Sequence, residues 1–189
     1  MRIANNTDRE LVVNILSASF ETNKSVNYII KQDVKRRLRI SRLMEYSFDT
    51  CYSFGKVFLS DDGQACALIL LPDKRKTTFR TILNDLKLIF TCTGLGNALK
   101  ALRRETKIKS FQPQDPIYYL WFIGVIPEAQ GRGIGSKLMK ELLAECGFHN
   151  RTICLETSST RNLHWYEQFG FSIYNKLDLG YKLFFLKKD

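Results

Sequence analysis

With 189 residues, 44% of them hydrophobic and 25% charged, the chain is long enough for one sizeable core, short for a second full domain, and too apolar for long disorder. A formal net charge of +10 admits nucleic acid, an anionic membrane surface or an anionic small molecule and does not choose among them. Much of that charge falls in residues 31–42, 74–80 and 100–109, which read as solvated helix and loop faces without a helix-turn-helix or RNA-binding signature beside them.

Ile3 and Ala4 suit a short first strand, and Thr7-Asp8-Arg9-Glu10 then has capping-box spacing ahead of Leu11, Val12, Ile15, Leu16 and Phe20, which predicts a first helix. Val34, Leu38 and Leu43, set among arginines, predict a second amphipathic helix over 31–48. Residues 52–59 and 65–71 read as strands joined by Ser60-Asp61-Asp62-Gly63-Gln64, whose Asp-Gly step marks a hairpin. From 77 to 105 apolar residues recur at helical spacing (Phe79, Ile82, Leu83, Leu86, Ile89, Phe90, then Leu95, Ala98, Leu99, Leu102), and Gly94 breaks the run into two helices.

Residues 117–126, I-Y-Y-L-W-F-I-G-V-I, are apolar at both phases, as in a central strand covered on each face. Leu138, Met139, Leu142, Leu143 and Cys146 then mark a helix that Gly147 closes. A strand over 152–157, a short helix over 162–169 with Asn162 at or near its N-cap, and closing strands over 171–174 and 181–186 complete a mixed α/β order. Neither a repeat nor a linker divides it, so one domain spanning 1–189 is expected. Five cysteines without a C-x-x-C pair indicate no disulfide framework, and His149 and His164 alone supply no metal-ligand spacing, so no metal is expected. The first ten residues lack a signal-peptide core and the apolar runs are too short to cross a bilayer, which predicts a cytoplasmic protein.

The most specific feature is Gln130-Gly131-Arg132-Gly133-Ile134-Gly135-Ser136, between the buried strand and the amphipathic helix. A helix N-terminus binds anions because its first N–H groups lack intrahelical partners and its dipole is positive there. Gly131, Gly133 and Gly135 let the backbone approach a ligand, and Arg132 adds a cation. Ser136 stands where a G-x-G-x-x-G dinucleotide fingerprint needs its third glycine, and Gly135-Ser136-Lys137 is not the Gly-Lys-Ser/Thr of a Walker loop.

This stretch resembles the signature Q/R-x-x-G-x-G/A of the GNAT superfamily of acyl-CoA-dependent N-acyltransferases, and V-I-P-E-A-Q before it and N-L-H-W-Y-E-Q-F-G-F after it resemble the family's flanking segments. The resemblance implies a mixed, mostly antiparallel, twisted sheet flanked by helices and splayed after its fourth strand, with 77–105 as a helical insert between strands three and four. It further implies acetyl-CoA as acyl donor, with pantetheine along Ile123, Gly124 and Val125, pyrophosphate on the amides of Gly131 to Ser136, and Asn162 touching the cofactor from the next segment. By the same resemblance Tyr166 is the acid that protonates the departing thiolate and Ile123 N–H the oxyanion donor. The fourth strand lacks the glutamate many relatives use as base, and Glu156 is the best replacement, with Asp115 second. The implied reaction is direct attack of an amine, expected to be a small molecule, on the thioester. The basic residues of the insert suggest an acceptor carrying an acid group. No specific nucleic acid and no membrane partner are expected, and a homodimer is left open. A non-catalytic acyl-CoA sensor and a salt-dependent polyanion binder are the competing function classes.

Overall fold

In the computed structural model, which describes residues 1–147 and 151–189 and leaves out the side chains of Arg80, Asn84, Phe90 and Leu95, the strands are β1 (Arg2–Ile3), β2 (Gly55–Leu59), β3 (Ala65–Leu70), β4 (Tyr118–Val125), β5 (Ile153–Thr157), β6 (Ser172–Asp178) and β7 (Lys182–Lys188). The helices are α1 (Arg9–Ser19), α2 (Lys24–Ile29), α3 (Arg36–Phe54), α4 (Phe79–Leu88), α5 (Gly94–Phe111), α6 (Ile134–Gly147) and α7 (Arg161–Glu167). His149 lies outside the described residues.

The strands form one sheet in the order β1-β2-β3-β4-β5-β7-β6, antiparallel throughout except for the β4–β5 pair. The strand period of two sorts its side chains into two layers. On β3, Cys66, Leu68 and Leu70 pack with α1, α2 and α3, while Ala65, Ala67 and Ile69 face α6 and the Tyr166 side of α7. This mixed, mostly antiparallel architecture is the fold class expected from the sequence. All five cysteines are buried.

Several boundaries moved for identifiable reasons. The expected Thr7–Glu10 box gives way to one two residues earlier: Asn5 accepts from Thr7 N–H, and the Asp8 carboxylate accepts from Asn5 N–H at 2.8 Å while Arg2 holds it by two further bonds. The helix expected over 31–48 starts later, as α3 at Arg36, and a separate short helix, α2, capped by Asn23, precedes it. Tyr52–Phe54, expected in a strand, extend α3 until Gly55 turns the chain. Gly55 is required there because a Cβ would sit 1.9 Å from the Ile69 carbonyl oxygen. Gly55→Ala is therefore expected to destabilise by about 3 kcal/mol, the upper end for overpacking, read as a lower denaturant midpoint at unchanged slope.

Between β3 and β4, a π-helical turn (Ile89–Thr93) and Gly94 at φ +68° separate α4 from α5, which runs past Glu105 to Phe111. The turn is tied to the α2–α3 connection: Lys31 N–H donates to the Cys92 carbonyl at 3.0 Å and Arg39 Nη1 to that of Thr91 at 2.7 Å. Ile108 anchors α5 against Leu183 and Phe185 of β7.

Candidate active site

The site begins with a fault in β4. Leu68 pairs with Phe122 and Ile69 with Leu120, so Trp121 is an extra residue on β4, a β-bulge. It inverts the alternation: Tyr119, Trp121 and Phe122 lie on the α1–α3 side, whereas Tyr118, Leu120, Ile123 and Val125 face the α6 side. Helices cover both faces of this strand as expected, α1 on one side and α6 on the other. Tyr119, Trp121 and Ile123 are only partly covered because they line a cavity.

That cavity, of about 290 Å³, lies where β4 and β5 part. The two strands pair only at Tyr118↔Ile153 and Tyr119↔Cys154. Ile126 N–H donates to the Gln64 carbonyl on the β3 side at 2.9 Å. By alternation, the polar groups of Gly124 turn toward β3 and those of Ile123 and Val125 toward the gap. Gly124 has a packing task, since a Cβ there would come within 2.9 Å of Ser19 Oγ and 3.2 Å of Leu16. The Val125 carbonyl already accepts from Ser19 Oγ at 2.7 Å and Gln130 Nε2 at 3.1 Å, which fills both its lone pairs. Ser19 and the side chain of Gln130 therefore brace the strand end.

The glycine loop follows at once. Gly131 and Gly133 have φ of +78° and +80°, and a Cβ at either would meet nothing within 4 Å, so their surfaces are open. Lys137 N–H donates to the Gly133 carbonyl, leaving the amides of Ile134, Gly135 and Ser136 ahead of the first helical bond of α6. Arg132 is exposed beside them. A Cβ on Gly135 would lie 3.2 Å from Val125 Cγ2, so this third glycine serves helix–strand packing. Ser136 Oγ accepts from Trp165 Nε1 at 3.0 Å, tying α6 to α7. Open glycines, first-turn amides and a strand gap at the loop's root fit the acyl-CoA implied by the sequence.

Glu156 and Tyr166 both line the cavity, and Asn162, the second residue of α7 rather than its cap, lines it with them. Tyr119 OH donates to Glu156 Oε2 at 2.5 Å. Glu156 Oε1 has no hydrogen-bond partner among the described residues, and the Gln112 amide stands near without reaching hydrogen-bond geometry. Burial pushes the Glu156 carboxyl up to about 7, against the lowering effects of Tyr119 and the Arg104 cation. Burial also raises the Tyr166 phenol, whose hydroxyl has no hydrogen bond to a described residue. Asp115 is exposed and outside the cavity. Sequence reasoning missed Tyr119, Glu156's partner, because nothing local foretells the bulge that decides which way Tyr119 points.

Residues 94–173 match the model of the acetyltransferase (GNAT) domain family. Over that stretch the chain is similar to a GNAT acetyltransferase domain. Solved structures of similar fold extend the likeness over the whole chain. A histone acetyltransferase HPA2-related acetyltransferase of Corynebacterium glutamicum is 21% identical, with 99% of this chain and 93% of that one covered at a TM-score of 0.73. Arylalkylamine N-acetyltransferase 2 of Aedes aegypti is 17% identical, covering 99% and 96% at 0.64. The polyamine N-acetyltransferase of Drosophila melanogaster is 13% identical, covering 99% and 97% at 0.62. At these identities the likeness is one of fold. Among the described residues, no group of three or more His, Cys, Asp or Glu is placed to hold a metal ion.

Proposed function

We propose that the protein is an N-acetyltransferase that moves an acetyl group from acetyl-CoA to a primary amine by direct attack. The observation that carries this reading is that two proton-handling side chains, Glu156 and Tyr166, line one cavity at the β4–β5 gap, on the strand whose end leads into the open glycine loop. The whole chain, 1–189, acts as one domain, because a single sheet takes strands from both of its ends.

The amides of residues 131–136 and Arg132 hold the pyrophosphate, and Ile123 and the Val125 N–H offer strand hydrogen bonds to pantetheine. Asn162 borders the same space. An alkylammonium with a pKa of ~10.4 is almost fully protonated at pH 7, and Glu156, poised near neutrality, removes a proton from the nitrogen. The amine forms a C–N bond at the thioester carbon, Ile123 N–H stabilises the developing oxyanion, and the C–S bond breaks. Tyr166 delivers its proton to the sulfur, the second nitrogen proton returns to the Tyr166 oxygen, and Glu156 passes the first to solvent, so the amide product is neutral. That two fold relatives are named for acting on amines supports the acceptor class.

Thiol release from acetyl-CoA, measured with and without a panel of primary amines, tests the reading. Release that requires an amine is the expected result, and acetyl-CoA binding without turnover across the panel would make the chain a sensor instead. Valine at Gly133 forces a β-branched residue to positive φ and covers the approach surface. Gly133→Val is expected to raise the acetyl-CoA KM at least about tenfold with kcat little changed, the pattern of a lost ground-state contact.

A further inference from the structure

The acceptor can be specified further, in a step that rests on the acetyltransferase reading. We infer that the cavity takes a small primary amine on an uncharged, apolar body, carrying neither a carboxylate nor a second ammonium group.

Size comes first. About 290 Å³ stands at the lower end of small-ligand pockets, ~300–1,000 Å³, and suits a compact molecule in place of a polypeptide segment. The wall is aromatic and aliphatic: Phe20 meets Phe122 edge-on at 5.0 Å and Tyr46 meets Trp121 at 6.1 Å, with Leu88 and Ile89 on the helical side. These ring pairs exist before a ligand arrives, so an apolar body gains burial without reorganising them.

Charge decides the rest. Arg75 is bound to Asp85, and both engage the Tyr46 hydroxyl. Arg104 is bound to Glu105, Ser25 and Tyr181. Lys109 is exposed. The cations of the wall thus have fixed partners or face solvent, and a carboxylate on the acceptor finds none inside to pair with. Such an acceptor departs from the expectation, drawn from the basic residues of the insert, that it carries an acid group. Of the three buried side-chain polar atoms without a partner among the described residues, Ser17 Oγ, Tyr174 OH and Glu156 Oε1, only the last belongs to the cavity wall. The terminal torsion of a glutamate is soft, so a small rotation presents Oε1 to an incoming amine. One ammonium is satisfied there, and a second would be buried unpaired.

The test compares 2-phenylethylamine with phenylalanine, which adds only a carboxylate, and with putrescine, which replaces the ring by a second amine. Thiol release with acetyl-CoA should favour 2-phenylethylamine in kcat/KM by about 10²-fold over both. Equal or better turnover of phenylalanine or putrescine overturns the inference while leaving the acetyltransferase reading intact. If no amine releases thiol, that reading fails instead. Calorimetric titration of the three compounds into the CoA-saturated protein then decides the inference alone, with 2-phenylethylamine binding expected and its absence, or tighter putrescine or phenylalanine binding, counting against it.

Discussion

Replacing Glu156 by glutamine is expected to lower kcat by about 10²-fold or more while leaving the acetyl-CoA KM within a few fold, because general-base loss is felt at the proton and not at the donor. The pH dependence carries the sharper signature. With its carboxyl pushed up to about 7 by burial, the wild-type kcat should rise with pH through an inflection near that value, and the glutamine variant should lack it. Tyr119→Phe removes a hydrogen bond that favours the ionised carboxylate, so its inflection should move to higher pH. Stability should move oppositely to activity. The folded carboxyl titrates above its ordinary value of 4.5, so between that pH and about 7 the native state keeps a proton that the unfolded chain has released. The stabilisation from the neutral carboxyl is complete below the unfolded value and is lost as pH rises through the folded one. Glutamine is neutral throughout, and Glu156→Gln should melt at or above wild type at pH 8. A wild-type rate in this variant would remove Glu156 from the chemistry, and a slow variant with a lower melting temperature would make its role structural.

What the sequence disclosed follows the range over which each feature is determined. The loop from Gln130 to Ser136 was legible because anion binding at a helix N-terminus needs only glycines, a strand before and a helix after, all within a short window. The β2–β3 hairpin was legible for the same reason, with Gly63 at φ +67° in its turn. Periodicity also found α1, the two helices between β3 and β4, and α6. The misreadings were of another kind. Tyr52–Phe54 are aromatic and strand-like taken alone, but the Gly55–Ile69 approach fixes where α3 stops. The side to which each β4 residue turns depends on a bulge opposite Leu68 and Ile69, and the ionisation of Glu156 on its burial, partly offset by a tyrosine 37 positions earlier in the chain. Ion pairing was not legible either: Arg75 is paired with Asp85 and Arg104 with Glu105, and the proximity of Arg75 to Asp85 is set by folding.

Tyr166→Phe is the second large effect, an expected fall in kcat of about 10²-fold without loss of stability. The phenol is buried, its pKa is raised by that burial, and its hydroxyl has no protein partner among the described residues. It therefore keeps its proton across the pH range in which Glu156 ionises, and in the proposed mechanism it protonates the leaving thiolate, whose conjugate acid lies near ~8.5. Removing such a hydroxyl breaks no protein hydrogen bond, so Tyr166→Phe should melt within about 1 °C of wild type or above it; a fall in melting temperature, or an unchanged kcat, would return Tyr166 to a packing role. The double variant with Glu156→Gln separates two forms of the mechanism. If proton removal from the amine and proton delivery to sulfur belong to one transition state, the losses multiply toward about 10⁴. If they belong to successive steps, the higher barrier alone sets the rate, and the double variant is no slower than the slower single one.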